Sequence, residues 1–180
     1  MQKSNKFITS SLIILLLSTA IYKFSKITSS NTSSHGKQSK VNLKISGYAK
    51  IIDGDSIIVD NYEIRLKAID APEFYQNCQN SKQETYPCGR KAMQYLENLT
   101  ANKKVTCQSY ATDIYDRYLS SCYVGNIDIA IDMLEHGWAV IYRMPSPLYK
   151  HQEQARISKL GLWQGEFTYP QIWRKLNKRK

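Results

Sequence analysis

The chain has 180 residues, with 25 Lys and Arg against 15 Asp and Glu, which gives a formal net charge of +10. This length predicts one folded domain with appendages. The excess basicity lies at the two ends, residues 1–40 and 174–180, and the remaining body has 14 basic and 15 acidic residues. The net charge therefore does not by itself indicate that the folded domain binds nucleic acid.

The N-terminus carries two lysines followed by an apolar segment, FITSSLIILLLSTAIYKF, which Lys23 interrupts. The segment is short for a membrane-spanning helix, which needs roughly 17–25 residues. Small residues at positions 18–20 are suitable for signal-peptide cleavage. We therefore expect residues 1–24 to be either an uncleaved membrane anchor or a cleaved signal peptide. Both alternatives predict export, with the domain held outside the cytoplasm at the membrane, or secreted or periplasmic.

The next segment, ITSSNTSSHGKQSK, is polar, rich in Ser and Thr, and lacks a core pattern. Such a composition is typical of a flexible tether. The predicted organisation is thus an N-terminal segment, a polar tether, a folded domain and a basic tail, at residues 1–24, 25–41, 42–173 and 174–180.

Alternating apolar and polar residues predict three strands in the first part of the domain, at residues 43–52, 56–60 and 63–69. A turn at Asn61 and Tyr62 separates the second strand from the third. In the third strand, Glu63, Arg65 and Lys67 share the polar face.

The second part of the domain predicts three helices and two strands. In chain order these are a helix at 89–104, strands at 104–110 and 118–124, and helices at 127–137 and 151–163. Gly137 and Gly161 are expected to stop the last two helices. The order predicts an α+β, mainly β fold: a five-stranded OB-fold Greek-key barrel with about three helices. That fold commonly binds oligonucleotides, but a fold alone does not establish function.

Four cysteines lie inside the predicted domain, and four cysteines allow three pairings. Cys107 and Cys122 are nearly equidistant from the turn near residues 113–116, as a cross-strand bridge requires. That pairing leaves Cys78 with Cys88, which would close a polar loop. The alternative is a zinc site, but the chain has no close Cys-x-x-Cys pair and its histidines are scattered. Disulfides are favoured because exported domains form them.

The segment at residues 50–73, KIIDGDSIIVDNYEIRLKAIDAPE, holds six acids. Asp55 and Asp70 sit at the start of one predicted strand and at the end of the next, so a hairpin would bring them to the same end of the barrel. Paired carboxylates suit a hard cation such as Ca²⁺. The alternative is that Asp53-Gly54-Asp55 is only a tight turn and that Asp70 caps a strand.

Three further residues of this region and of the second hairpin have side chains suited to phosphate chemistry. Arg65 could hold a phosphate with its planar fork, although a strand arginine is more often simply solvated. Glu73 could activate water as a general base. Arg117 could be a second phosphate clamp, or a surface residue that pairs with Asp113 or Asp116.

Five motifs then form an ordered set: DGDS at 53–56, RL at 65–66 followed by IDAPE at 69–73, DIYDR at 113–117, MLEHGWA at 133–139 and LGLW at 160–163. In order and spacing they resemble the motifs of the staphylococcal nuclease (thermonuclease) family. The resemblance covers about residues 43–173. The cysteines and the region from Trp163 to Trp173 are most similar to exported bacterial members.

This resemblance implies a calcium site. Asp55 and Asp70 would be the carboxylate ligands, and the backbone carbonyl of Ala71 would supply a third oxygen. A threonine is common where Ala71 stands, but a backbone ligand survives that change.

The resemblance also implies the reaction, calcium-dependent hydrolysis of DNA or RNA with little sequence preference, leaving 3′-phosphate ends. Glu73 would be the general base, and Arg65 and Arg117 would be the phosphate clamps. Tyr115 and Tyr142 look similar to the tyrosines that line the family's nucleotide pocket. A nucleic-acid substrate and a monomeric enzyme are therefore expected.

Two alternatives to a nuclease remain: a non-catalytic OB-fold module that binds nucleic acid or protein, and a structural protein of the cell envelope. Neither needs all five catalytic and metal positions to carry the expected residue types, as they do here. One departure concerns Asp116, which stands where the family usually has glycine. An acid at that place could compete for Arg117.

Overall fold

A computed structural model describes residues 40–177. Its ten strands, in chain order, are β1 (Lys40–Ile51), β2 (Ser56–Val59), β3 (Tyr62–Leu66), β4 (Ile69–Asp70), β5 (Cys78–Gln79), β6 (Thr85–Tyr86), β7 (Lys104–Thr112), β8 (Tyr118–Val124), β9 (Ile127–Asp128) and β10 (Val140–Ile141). The main sheet has the order β3-β2-β1-β7-β8-β9, and β3 also pairs with β8 in parallel. Strands β1, β2, β3, β7 and β8 therefore close into a barrel, which confirms the predicted five-stranded OB-type fold.

Four α-helices accompany the barrel within residues 40–177: α1 (Cys88–Thr100), α2 (Ile129–Glu135), α3 (Tyr149–Ile157) and α4 (Pro170–Leu176). The first three correspond to the predicted helices. The third ends earlier than expected, and a separate 3₁₀ turn, Gly161–Gln164, follows it. Helix α4 was not predicted, and the predicted start of the basic tail at residue 174 falls inside it.

The two ends of the chain fall outside this description. The structure does not describe residues 1–39 or 178–180. The predicted anchor or signal segment, residues 1–24, therefore lies outside the described residues, as does the tether up to residue 39. Among residues 40–177, no helix combines the length and the apolar character needed to cross a membrane.

A tight hairpin sets the register of the first strands. Asp60 and Asn61 both have positive φ, at 49° and 66°, as the central residues of a type I′ turn require. This turn places Val59 opposite Tyr62 and Ser56 opposite Arg65. The polar face of β3 is thereby aligned with the start of β2, next to Asp55.

Strand β3 ends at Leu66, so the predicted strand at 63–69 is too long. Ala68 has a φ of +69°, which turns the chain out of the barrel sheet. The chain then forms β4, which pairs with β10 and places Asp70 opposite Val140. Asp70 therefore does not end the third barrel strand, but lies in a separate two-stranded sheet.

The barrel core consists of fully buried aliphatic side chains from both halves of the sheet and from two helices. They include Ile57, Val59, Ile64, Leu66, Val105, Leu96 of α1 and Met133 of α2. Burial on this scale is the main source of stability in a domain of this size. The site described below lies at the edge of this core, where buried polar side chains begin.

Both disulfides have the favoured pairing. Cys107 and Cys122 face each other across β7 and β8 and are bonded. Cys78 is bonded to Cys88, which links β5 to the first turn of α1. The cysteines are therefore structural, and the zinc alternative is wrong.

Removal of the cross-strand disulfide should reduce stability without changing the fold. In a chain-entropy model, a bridge that closes a loop of 15 residues stabilises by about 3 kcal/mol. We expect the double variant Cys107→Ala/Cys122→Ala to lose about that free energy of unfolding in urea titrations. A variant as stable as the wild type, or a Cys78–Cys107 link found by non-reducing mass mapping, would contradict the assignment.

Candidate active site

Asp55 occupies a tight turn that packs against the segment after β4. The carboxylate of Asp53 accepts a hydrogen bond from the backbone N–H of Asp55 at 3.0 Å. A Cβ atom on Gly54 would lie only 2.6 Å from the Cβ of Ala71, so this close approach requires glycine. The Asp55 carboxylate in turn accepts the backbone N–H of Ala71 at 2.9 Å. The aspartate thus joins the start of β2 to the end of β4.

Arg65 brings the two aspartates together. Its Nη1 atom donates to Asp55 Oδ1 at 2.6 Å, and its Nη2 atom donates to Asp70 Oδ1 at 2.8 Å. Both carboxylates are almost completely buried. The structure therefore places Asp55 and Asp70 side by side, as expected, although Asp70 arrives from β4 instead of β3.

The charges in this pair act on each other. Burial raises the pKa of Asp55 to about 7, and the Arg65 guanidinium opposes that rise by stabilising the carboxylate. Burial would lower the pKa of Arg65, but the neighbouring carboxylates of Asp55 and Asp70 raise it above its ordinary value. Arg65 therefore stays charged, and it partly offsets the cost of placing two acids in the protein interior.

Glu73 lies directly beyond Pro72, and its side chain is about one-third exposed. Its backbone carbonyl packs so closely on α1 that a Cβ at Gly89 would overlap it. Its backbone N–H donates to Oε1 of the buried Gln76 at 3.3 Å. The loop that carries Glu73 is thereby fixed, while its carboxylate reaches the surface beside Asp70.

An arginine that was not predicted completes the cluster. Arg174 of α4 donates through both Nη atoms to the carboxylate of Asp70, each at 3.0 Å, and through Nη1 to Glu73 Oε1 at 2.8 Å. Burial would lower the pKa of Arg174, but hydrogen bonds to Asp70 and Glu73 raise it well above its ordinary value. One sequence signal points to it: Pro170 is a favoured first residue of a helix, so an ordered element should follow.

Arg117 reaches the same region from the turn that precedes β8. Its guanidinium contacts Asp113 Oδ2 at 2.8 and 2.9 Å, and its Nη1 atom donates to Ser56 Oγ at 3.3 Å. Ser56 in turn donates to Asp55 Oδ1 at 3.0 Å. Arg117 is therefore connected to the acid cluster through one hydroxyl group.

The partner of Arg117 is Asp113, and the competition expected from Asp116 is absent from the described contacts. Asp116 is exposed and has a φ of +63°, the left-handed conformation that favours glycine. The glycine expected at this position is therefore explained by the backbone of the turn. The substitution leaves the ion pair between Asp113 and Arg117 intact.

The two predicted substrate tyrosines flank the arginines. The Tyr142 ring centroid lies 5.8 Å from the Arg65 guanidinium carbon and 5.0 Å from that of Arg143. The Tyr115 ring centroid lies 5.5 Å from the Arg117 guanidinium carbon. Both rings are exposed, so each combines a cation with an accessible aromatic face.

The donor atoms of the two aspartates are compatible with a hard cation. A carboxylate offers about four lone-pair sites. Among the hydrogen bonds of residues 40–177, Oδ1 of Asp55 accepts two and Oδ2 accepts one, and the same holds for Asp70. Each carboxylate thus keeps acceptor capacity on Oδ2. However, no group of three or more Asp, Glu, His or Cys side chains in the described residues is arranged to hold a metal. Further ligands would have to be backbone carbonyls or water.

Comparison with known proteins connects this cluster to one family. The family model described as staphylococcal nuclease homologue matches residues 63–165. The match includes Arg65, Asp70, Glu73 and Arg117, but neither Asp55 nor Arg174.

Curated proteins from three kinds of organism are similar to the chain. It is 29% identical over 126 residues to the succinoglycan biosynthesis protein ExoI of Rhizobium meliloti (strain 1021), across 68% of this chain and 66% of that protein. It is 30% identical over 128 residues to the probable endonuclease LCL3 of Phaeosphaeria nodorum, across 63% and 42% of the two chains. It is 32% identical over 146 residues to the probable staphylococcal-like nuclease CAN4 of Oryza sativa subsp. japonica, across 78% and 27%. The chain thus spans less than two thirds of each relative's length.

The ion pair that holds Arg117 should depend on pH. Burial would raise the pKa of Asp113, but hydrogen bonds from the Tyr115 N–H and from Arg117 hold it below its ordinary value of 3.8. A lowered pKa stabilises the folded state above pH 3.8, and this contribution is lost as pH falls through the folded-state pKa. We expect Asp113→Asn to lower the free energy of unfolding at pH 7 by about 1 kcal/mol. The difference from wild type should narrow near pH 3, and an equal difference at both pH values would contradict this.

Proposed function

The chain belongs to the staphylococcal nuclease family, and we propose that it is a nuclease that hydrolyses phosphodiester bonds of DNA or RNA with low sequence specificity. One observation carries the proposal. Asp55, Asp70 and Glu73, which come from the turn before β2, from β4 and from the loop after it, converge on the guanidinium groups of Arg65 and Arg174 at one end of the barrel. A cluster of carboxylates and arginines in which Glu73 and Arg174 reach solvent suits the binding and hydrolysis of a phosphate ester.

Glu73 is the proposed general base. Its Oε1 atom accepts a hydrogen bond from Arg174, and no hydrogen bond to Oε2 occurs within residues 40–177. The free oxygen can therefore take a proton from a water molecule, and that water attacks phosphorus in line with the leaving oxygen. The bond from phosphorus to the 5′ oxygen breaks, and this oxygen takes a proton from solvent, which leaves a 3′-phosphate and a 5′-hydroxyl group.

Arg65 and Arg117 are the proposed phosphate clamps. Both guanidinium groups are held by aspartates, Arg65 by Asp55 and Asp70 and Arg117 by Asp113. Such fixed cations stabilise the charge that develops on the phosphoryl oxygens without having to reorganise during the reaction. Both are nevertheless partly exposed, so a phosphate can reach them.

Calcium is the proposed cofactor. Asp55, Asp70 and the backbone carbonyl of Ala71 would hold it, and this set of oxygen donors is of the type that Ca²⁺ prefers. When bound, calcium adds positive charge where the phosphoryl oxygens become more negative. This also explains why acids belong at a site for a polyanion, because a bound cation inverts the local charge.

The exposed rings of Tyr115 and Tyr142 would stack against bases of the substrate. Stacking on aromatic side chains is tolerant of sequence and is worth about 1–3 kcal/mol per base. A substrate strand that passes both rings would also pass the two proposed phosphate clamps, since each ring lies beside one of them. This arrangement supports binding of unpaired strands with little base preference.

We place the activity outside the cytoplasm. Two disulfides within residues 40–177 support this location, since such bonds persist in oxidising compartments. The basic and apolar pattern of residues 1–24 supports export as well. An uncleaved segment would hold the enzyme at the membrane, and a cleaved one would release it.

Digestion assays test the reaction and its general base. We expect the purified chain to degrade DNA or RNA with calcium and to stop when EGTA removes it. Glu73→Ser should lose most activity, because it removes the proposed base and the neighbouring Asp70 is buried and held by Arg65 and Arg174. Glu63→Ser is a matched control, since Glu63 is an exposed glutamate of β3.

Undiminished cleavage in EGTA, or by Glu73→Ser, would contradict the proposed mechanism. Cleavage in no condition would favour the non-catalytic binding module instead.

Substitution of the first clamp tests whether its shape matters as well as its charge. Arg65→Lys keeps a positive charge but cannot span two acceptors with a planar fork. We expect kcat to fall by about 10²–10³-fold, the usual effect of losing one transition-state donor. Arg90→Lys, an exposed arginine of α1, provides the control. Similar kcat values for the two variants would argue against Arg65 as a clamp.

A further inference from the structure

We propose that Arg174 is a positioning residue of the catalytic site, which holds the carboxylate of Glu73 beside Asp70. The inference rests on the proposed function, in which Glu73 is the general base. Arg174 lies outside the region that the family model matches, residues 63–165. The C-terminal helix would thus contribute to catalysis from beyond that region.

The contacts of Arg174 join two acids that have different roles. Its Nη1 atom lies between them, 3.0 Å from Asp70 Oδ1 and 2.8 Å from Glu73 Oε1. Its Nη2 atom donates to Asp70 Oδ2. Asp70 is fixed, because it is buried and also accepts from Arg65. The guanidinium therefore holds the Glu73 carboxylate in a fixed position relative to Asp70.

Glu73 needs such a partner because nothing else in the described residues holds its carboxylate. The side chain is about one-third exposed, and its ion pair and its hydrogen bond within residues 40–177 are both with Arg174. Like charges that share a site repel each other, and solvent is accessible to Glu73 but not to Asp70. Without the guanidinium, the glutamate would rotate away from Asp70 towards water.

The orientation that Arg174 imposes suits a base. It occupies Oε1 and leaves Oε2 available for the proton of the attacking water. A reacting group held in a productive geometry can contribute a large share of a rate enhancement, and a small displacement can cost about 100-fold. Loss of the contact between Arg174 and Glu73 should therefore lower the reaction rate strongly, although loss of an exposed ion pair changes the free energy of unfolding only slightly.

Hydrogen bonds connect the segment that leads to Arg174 with the loop that carries Glu73. Gln76 donates through Nε2 to the carbonyl of Thr168 at 2.6 Å and accepts the backbone N–H of Glu73. The Gln79 N–H also donates to the carbonyl of Glu166 at 2.8 Å. The segment before α4 and the loop that carries Glu73 are thus held together by hydrogen bonds. These bonds fix the position of the Arg174 guanidinium relative to Glu73.

The competing explanation is that Arg174 only fastens α4 to the domain. Most of this helix is exposed, and Pro170 is its only buried residue among those described. A purely structural anchor would lower stability when removed, and its effect on the rate would not depend on Glu73. A positioning residue acts through Glu73, so its effect on the rate should disappear when Glu73 is absent.

A double-mutant cycle on the full chain separates these two roles. We expect Arg174→Ala to lower kcat by up to about 100-fold, with little change in KM. In the Glu73→Ala background, the same substitution should leave kcat unchanged. Arg174→Lys should recover part of the rate, since a lysine can reach one carboxylate but cannot fork across two. Lys175→Ala, the exposed neighbour in α4, should behave like wild type.

A second cycle in EGTA, measured by urea unfolding, tests the contact itself without metal or substrate. Non-additive unfolding midpoints for Arg174→Ala and Glu73→Ala support the contact, and additive midpoints overturn the proposal. The proposal is also overturned if the wild type is active and Arg174→Ala keeps the wild-type kcat. The same holds if Arg174→Ala lowers kcat by an equal factor in the wild-type and Glu73→Ala backgrounds. A wild type that cleaves no nucleic acid would overturn the proposed function itself. The outcomes above would overturn only the role of Arg174.

Discussion

The buried carboxylate of Asp55 ties together the three segments on which the site depends. It receives hydrogen bonds from Ser56 at the start of β2, from Arg65 of β3, and from the Ala71 N–H after β4. A buried charge is costly unless it is paired and fully hydrogen-bonded. These bonds offset part of that cost, and they also bring Asp70 and its loop to the barrel end. The polar cluster is therefore a constraint on geometry more than a source of stability.

The cluster draws on both halves of the chain. Three carboxylates, Asp55, Asp70 and Glu73, face two guanidinium groups, Arg65 and Arg174. With all five groups ionised, this leaves one excess negative charge, which suits binding of a cation before the phosphate arrives. The disulfide between Cys78 and Cys88 and the contacts of Gln76 fasten the loop between these groups to α1 and to the C-terminal segment.

The sequence predicted the barrel well because its signals are local. Apolar alternation located the strands, and the turn expected at Asn61 and Tyr62 lies one residue earlier, at Asp60 and Asn61, which places Arg65 opposite Ser56. The end of β3 was misplaced because Ala68, with no turn signature, adopts a left-handed conformation. Arg174 was missed because its partner Asp70 is 104 residues away, and a basic terminal run has the composition of a solvated tail. Contacts across such distances follow from tertiary packing, which local patterns do not encode.

Direct measurement of calcium binding tests the central claim, that paired buried aspartates at this barrel end form the cation site of a nuclease. Isothermal titration of the wild-type chain should show one calcium ion bound per chain. Asp70→Asn should abolish binding, because it removes one of the two carboxylates, while Asp128→Asn should not, since Asp128 caps α2 elsewhere in the fold. Absence of calcium binding by the wild type, or equal binding by Asp70→Asn, would contradict the account.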